Sequence, residues 1–219
     1  MLRKLMILPW FGEWPPWMTQ YLQNVQRLKA FGYDWLFWVD LEGLQERCRR
    51  KLGVEVPLRE GEAKSHDLRP AFGILFGEEI KGYDFWGFTD LDCVYGRVWK
   101  WVTAEFLEGL DIHSNHHSYM CGPWSLLRNE KRVNELFLGG LEWKENMEAE
   151  RITGWGEQGW SRAVESSGLR YKYTYWQGND RDHPGAVCLE ESGALIWMGE
   201  ELMMYHFRRG KEWPIRMIL

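Results

Sequence analysis

The four cysteines of this 219-residue chain, Cys48, Cys93, Cys121 and Cys188, have no paired spacing. That pattern excludes a disulfide frame and a cysteine-type zinc site, and it reads as reduced thiols in a cytoplasmic protein. No apolar run approaches the ~20 residues that cross a bilayer. The opening Met1–Leu8 is too short for a signal peptide, lacks a cleavage site, and reads as a first strand. Like charges cluster only at Arg47 to Lys51, which reads as a solvated helix end. With 27 basic against 32 acidic residues and a net charge of −5, there is no basic stripe to contact nucleic-acid phosphates. Repeats, low-complexity stretches and linkers are also absent, so one domain is expected.

Tryptophan is abundant, at 15 residues. Most are expected to supply core mass, since each buried aromatic removes ~150–250 Å² from water. Trp10, Trp14 and Trp17, in a Pro-rich turn, and Trp124, in a Gly-Pro loop, are the better candidates for a cleft that stacks on sugar rings.

Leu2–Leu8 reads as a buried strand, and Trp17 to Leu28 as a helix stopped by Gly32. Trp35–Val39 reads as a strand ending at Asp40, Leu44–Leu52 as a helix, and Val54–Val56 as a short strand. Asp67–Ile80 is expected to be helical, with Pro70 in its first turn, and Tyr83–Thr89 is the next strand. Helices are expected at Thr103–Leu110, Glu130–Leu138 and Glu157–Ser166, and strands at Asp111–Ser114 and Tyr119–Leu127. From Leu169 the pattern is short and β-like. Alternating strands and helices predict an α/β fold with a mixed, mostly parallel central sheet flanked by helices.

Asp90-Leu91-Asp92 closes the apolar run Tyr83–Thr89. If the run continues as a strand, residues i and i+2 turn both carboxylates to one side. Two carboxylates at the C-terminal end of a strand suit a hard divalent cation, and in open α/β sheets that edge binds ligands. A metal there neutralises a diphosphate, which points to a nucleotide-activated substrate.

Asp67-Leu68-Arg69-Pro70-Ala71-Phe72-Gly73 followed by Gly82 to Gly96 resembles the donor-binding core of GT-A-type glycosyltransferases with a DXD motif. The order of further motifs is similar to a bacterial family of glycosyltransferase-like proteins catalogued as a domain of unknown function. These motifs are Pro9-Trp10-Phe11-Gly12 with Pro15, Pro16 and Trp17, then Trp35–Asp40, then Gly122 to Asn129. The resemblance covers the first two-thirds of the chain well. It implies a GT-A-like domain with a nucleotide-sugar half over about 1–100 and an acceptor half over about 101–219. Pro9, Trp10, Phe11 and Gly12 would line the nucleotide pocket, with Asp40 near base or ribose. Asp67 and Arg69 would lie over the donor. Asp90 would contact ribose or the metal shell, and Asp92 would be the firmest ligand. His206, in Tyr205 to Pro214, would be the third ligand of Mn²⁺ (or Mg²⁺), and Lys211 would neutralise the leaving diphosphate.

An inverting enzyme also needs a carboxylate to take the acceptor proton. Glu157, at a Gly-rich turn, is the candidate, with Asp180 and Asp182 as weaker ones; a retaining enzyme needs no such base. His113, His116 and His117 lie among turn formers after a strand and are expected on the cleft wall, not on zinc.

The leading expectation is a metal-dependent glycosyltransferase, of the hexosyl- or deoxyhexosyl-transferase class. It would move a sugar from a nucleotide-sugar donor, UDP by family habit, to a glycan or lipid-linked glycan in polysaccharide biosynthesis. The basic, aromatic C-terminus (Arg208, Arg209, Lys211, Trp213, Arg216) permits peripheral membrane contact. One alternative is a non-catalytic glycan-binding module, which would keep sugar binding without Asp90 and Asp92. Another is a different metal-dependent nucleotide enzyme, such as a nucleotidyltransferase. That one is disfavoured because Pro9 to Trp17 carries no phosphate-loop lysine.

Overall fold

A computed structural model of the chain describes residues 1–181 and 187–207, and the backbone alone of 215–217. The first strand, β1 (Lys4–Pro9), shows why a sheet forms. Leu5 and Ile7 pack into one apolar cluster while Met6 and Leu8 pack into another, so both faces of the strand are buried and its sequence is continuously apolar. The same division holds for β3 (Phe85–Thr89), with Trp86 and Phe88 on one side and Phe85 on the other.

With β2 (Tyr33–Trp38), β5 (Ile112–Ser114), β6 (Trp124–Arg128) and β7 (Tyr171–Tyr173), these two strands form a six-stranded sheet in the order β2-β1-β3-β6-β5-β7, and β4 (Cys93–Tyr95) lies outside it. β1 pairs in parallel with β2 and β3, β5 with β7, and β6 runs antiparallel to both β3 and β5. Five strands therefore share one direction, as the mostly parallel sheet requires. Helix α1 (Met18–Gln26) covers one face through Tyr21 and Val25. Helix α2 (Leu41–Leu52) and the helix Trp160–Ser166 cover the other through Leu44, Cys48, Trp160 and Val164. Gly32 and Gly53 end the first two helical stretches in the left-handed conformation, at φ 82° and 67°. The basic end of α2 is tied down: Arg47 pairs with Glu79 at 2.6 Å and Lys51 with Glu78 at 2.5 Å.

Two small sheets complete the described residues. β4 pairs with β12 (Met204–His206), which pairs with β8 (Gln177–Asn179). β11 (Glu200–Leu202), β10 (Leu195–Trp197), β9 (Val187–Leu189) and β13 (Ile215–Met217) form the other. No helix among the described residues is long and apolar enough to cross a membrane.

Several elements differ from expectation. Val54–Val56 is no strand; the Val54 and Val56 side chains enter the core, and the Gln45 amide donates to the Val56 carbonyl at 3.3 Å in place of a partner strand. Residues 67–80 are not one helix. A 3₁₀ segment (Ala63–Ala71) carrying Pro70, which has no N–H to give, leads into one α-turn (Phe72–Leu75). Tyr119–Pro123 belongs to a loop whose backbone is met by side chains: Cys121 N donates to Ser114 Oγ at 2.8 Å, and Ser125 Oγ donates to the Cys121 carbonyl at 2.9 Å. Trp124 is wholly buried, so it is core and not cleft.

His113 is likewise a core residue of β5 and not part of a cleft wall. Its Nε2 lies 2.9 Å from Thr174 Oγ1, and its ring meets Phe106 edge-on. Burial, with a smaller push from Lys172, lowers its pKa to about 3, against ~6.5 in an unfolded chain. Between those values the unfolded state binds the extra proton, so this residue's contribution to stability is present above pH ~6.5 and is lost as pH falls, by up to about 1.4 kcal/mol per pH unit. Urea midpoints are expected to drop from pH 7 to pH 5, and His113→Gln to remove its share of that slope. An unchanged slope in the variant contradicts this assignment.

Candidate active site

The order β2-β1-β3 places the first crossover on one side of β1 and the next on the other, so the chain reverses direction across the sheet between β1 and β3. Ligands of open α/β sheets bind at such a point, beyond the carboxyl ends of the strands. A cavity of about 220 Å³ lies there, reached by Pro9 at the end of β1, by Trp10 after it, and by Asp90 and Asp92 after β3. Arg69 and His66 of the 3₁₀ segment close one side, and Trp17 another.

Asp90-Leu91-Asp92 is not strand. β3 ends at Thr89 and β4 begins at Cys93, so the three residues form the turn between them. Both carboxylates reach the cavity because this turn is pinned. The Thr89 hydroxyl donates to the Pro123 carbonyl at 2.7 Å, Trp17 Nε1 donates to the Leu91 carbonyl at 3.0 Å, and Phe207 N donates to the Asp92 carbonyl at 2.9 Å.

The two carboxylates have different partners. Asp90 is ion-paired with the buried Arg69 guanidinium. Burial alone would raise the Asp90 pKa, but Arg69, with lesser help from His66 and His206, holds it well below the usual carboxylate range. Asp92 Oδ1 lies 3.1 Å from His206 Nε2, brought there by the antiparallel β4–β12 pairing that sets His206 opposite Cys93. Asp92, Cys93 and His206 are, among the described residues, the one group of three metal-type side chains whose donor atoms lie within 4.8 Å of one another. Cys93 is wholly buried, and burial pushes its thiol well up, so it stays protonated. Asp92 and His206 thus form a pair of one carboxylate oxygen and one imidazole nitrogen, a donor set that fits Mn²⁺. Asp90, the expected second carboxylate ligand, is engaged by Arg69.

Glu157 lies on the other side of Arg69. The turn Trp155–Gly159, wound as a single π-helical turn, brings its Oε1 to 3.8 Å from Arg69 Nη1, where it accepts from Gly122 N at 2.8 Å. Gly122 leaves room for both groups: a Cβ there would collide with the guanidinium and stand 2.7 Å from Glu157 Oε1, so a larger residue displaces one or both side chains.

Other expected site residues lie elsewhere. Asp40 caps α2, its carboxylate accepting from Gly43 N at 2.8 Å. Asp67 is wholly buried against Lys64, so it supports the 3₁₀ segment from beneath and does not lie over a donor. Phe11 packs into the core beside α2. Gly12 lines a shallow groove with Trp10 and Trp14 beside the cavity. Lys211 and Asp182 lie outside the described residues, as do Arg208, Arg209 and Trp213 and the side chain of Arg216. His66 was not anticipated. It precedes the Asp67–Arg69 motif, and burial and Arg69 lower its pKa to about 4, so it meets the cavity as a neutral imidazole at pH 7.

Residues 38–211 match the profile of a family of unknown function, DUF6625. The chain belongs to that family. No curated protein matches it. Among solved structures, this DUF6625 chain is similar to a glycosyltransferase involved in the glycosylation of the major capsid of PBCV-1. The two share 12% sequence identity over 94% of each chain, with a TM-score of 0.56. That is a likeness of fold, and it agrees with the mixed α/β architecture described above.

Proposed function

We propose that this chain is a metal-dependent glycosyltransferase that moves a sugar from a nucleotide-sugar to a glycan or lipid-linked glycan acceptor, with UDP the expected nucleotide. The observation that carries the reading is the cavity between β1 and β3, where the Asp92 carboxylate paired with His206 stands across from a buried arginine. The fold shared with a glycosyltransferase structure supports it.

Glycosyl transfer builds negative charge on the leaving phosphate. Asp92 and His206 would hold Mn²⁺ (or Mg²⁺), which supplies charge neutralisation to a diphosphate when bound. Arg69 adds a fixed positive charge at the same cavity, and Asp90 fixes the direction of its guanidinium. Pro9 and Trp10 give the nucleotide a wall. His66, being neutral, offers hydrogen bonding without repelling Arg69. Glu157 is the base of an inverting transfer. It takes the proton of an acceptor hydroxyl as that oxygen bonds to the anomeric carbon and the bond to the leaving phosphate oxygen breaks. Its contact with Arg69 sets it beside the donor cavity, and the Gly122 N–H holds it in place.

The test is release of free nucleotide from UDP-, GDP-, CMP- and dTDP-sugars with and without Mn²⁺. Release from one of them, dependent on the metal, is expected, and Glu157→Gln is expected to slow transfer by ~10²-fold or more. Near-normal transfer in that variant removes Glu157 from the role of base.

A further inference from the structure

The roles given above leave unused a group of rings at the same sheet edge. The loop 115–122 after β5 carries His116, His117 and Tyr119, and Tyr175 follows β7. His116 stacks on His117 with centroids 4.2 Å apart, and its centroid lies 3.7 Å from that of Tyr119. Tyr175 stands across both imidazoles, at 87° to His116 and 74° to His117, with centroids 6.2 and 5.5 Å away. The rings therefore form a corner, and His117 and Tyr175 are both exposed.

This corner is tied to the candidate site at both ends. Asn179 Nδ2 donates to the Tyr175 hydroxyl at 3.2 Å, and β8 carries Asn179 in parallel register against His206. The loop that holds the imidazoles runs on to Gly122, whose N–H donates to Glu157. Stacked imidazoles do not converge their nitrogens on one point, and none of these histidines belongs to the group of three metal-type side chains found among the described residues. What the corner offers is flat apolar faces edged by N–H and O–H groups. Such a surface suits a neutral polyhydroxylated ring, whose C–H face packs on an aromatic while its hydroxyls bond to the edges.

We propose that His116, His117, Tyr119 and Tyr175 form the acceptor subsite, taking a neutral pyranose unit of a glycan. The inference rests on the glycosyltransferase reading and specifies its second substrate.

The test uses the fluorescently labelled full chain on a printed array of neutral glycans. Wild type is expected to bind a subset of them. His117→Ala/Tyr175→Ala is expected to lose at least 10-fold in signal, while Tyr175→Phe, which keeps the ring face, retains it. Nucleotide binding with Mn²⁺, measured by calorimetry on the double variant, is expected to stay within twofold of wild type. Glycan binding that survives the double substitution overturns the proposal, and so does a wild type that binds no glycan. The array holds no nucleotide, so its result decides the acceptor subsite even where the donor reading fails.

Discussion

Asp67→Asn is expected to cost about 3–5 kcal/mol of stability, the range found when one member of a buried ion pair is removed. Lys64 and Asp67 have side chains 1% and 0% exposed, with Nζ 3.0 Å from Oδ2. The ammonium also donates to the carbonyls of Asn146 at 2.6 Å and Arg151 at 3.3 Å, and the carboxylate accepts from Thr153 N at 2.9 Å. The pair joins the segment that carries His66 and Arg69 to the stretch that leads into the Glu157 turn. Asparagine leaves the ammonium charged, buried and without its counter-charge. For a chain of this size the loss corresponds to a drop in Tm of roughly 6–20 °C. Lys64→Met/Asp67→Leu is expected to recover part of it, since no lone charge remains, though two carbonyls and the Thr153 N–H lose their partners. Thermal melts of the three proteins decide this. An Asp67→Asn melt within 2 °C of wild type contradicts the buried-pair account.

Asp92→Ala is expected to reduce transfer by roughly 10²–10³-fold or more while leaving the melt close to wild type. Asp92 keeps 33% side-chain exposure and its carboxylate meets His206 at the cavity, so its loss opens no hole in the apolar core. His206→Ala is expected to weaken the same function, with both variants losing the response to Mn²⁺. Arg69 is a poorer probe because it is buried between Asp90 and Glu157, so its removal disturbs packing and charge together. Wild-type turnover in Asp92→Ala removes the metal pair from the account.

The elements legible in the sequence are those whose apolar residues repeat at a regular spacing, a continuous run in β1 and β3 and one face of α1 and α2. β1, β2, β3, α1 and α2 stand close to where apolar spacing puts them, and Gly32 and Gly53 mark their stops by chemistry that needs no tertiary context. The helix expected over Asp67–Ile80 is instead the end of a 3₁₀ segment and one α-turn, because apolar spacing alone does not separate the two kinds of helix, and Pro70 lies near the end of the 3₁₀ segment and not in a first α-turn. The six motif residues Pro9, Trp10, Arg69, Asp90, Asp92 and His206 do come to one region, but by a route the sequence did not show. The two aspartates share a turn and not a strand face, and they divide between an arginine and a histidine. Partners 82 or more residues apart in sequence, such as Lys64 with Asn146 or Asp92 with His206, follow from the tertiary fold and leave no local signal. The same holds for His66, whose importance comes from a neighbouring guanidinium and from burial.

The most direct test of the central claim is calorimetric titration of the protein with UDP, GDP, CMP and dTDP, each with and without Mn²⁺, on wild type and Asp92→Ala. The account predicts that one nucleotide binds wild type, that binding disappears when Mn²⁺ is withdrawn, and that Asp92→Ala does not bind it. Binding of no nucleotide by wild type, or equal binding by Asp92→Ala, would contradict a metal-dependent donor site between β1 and β3.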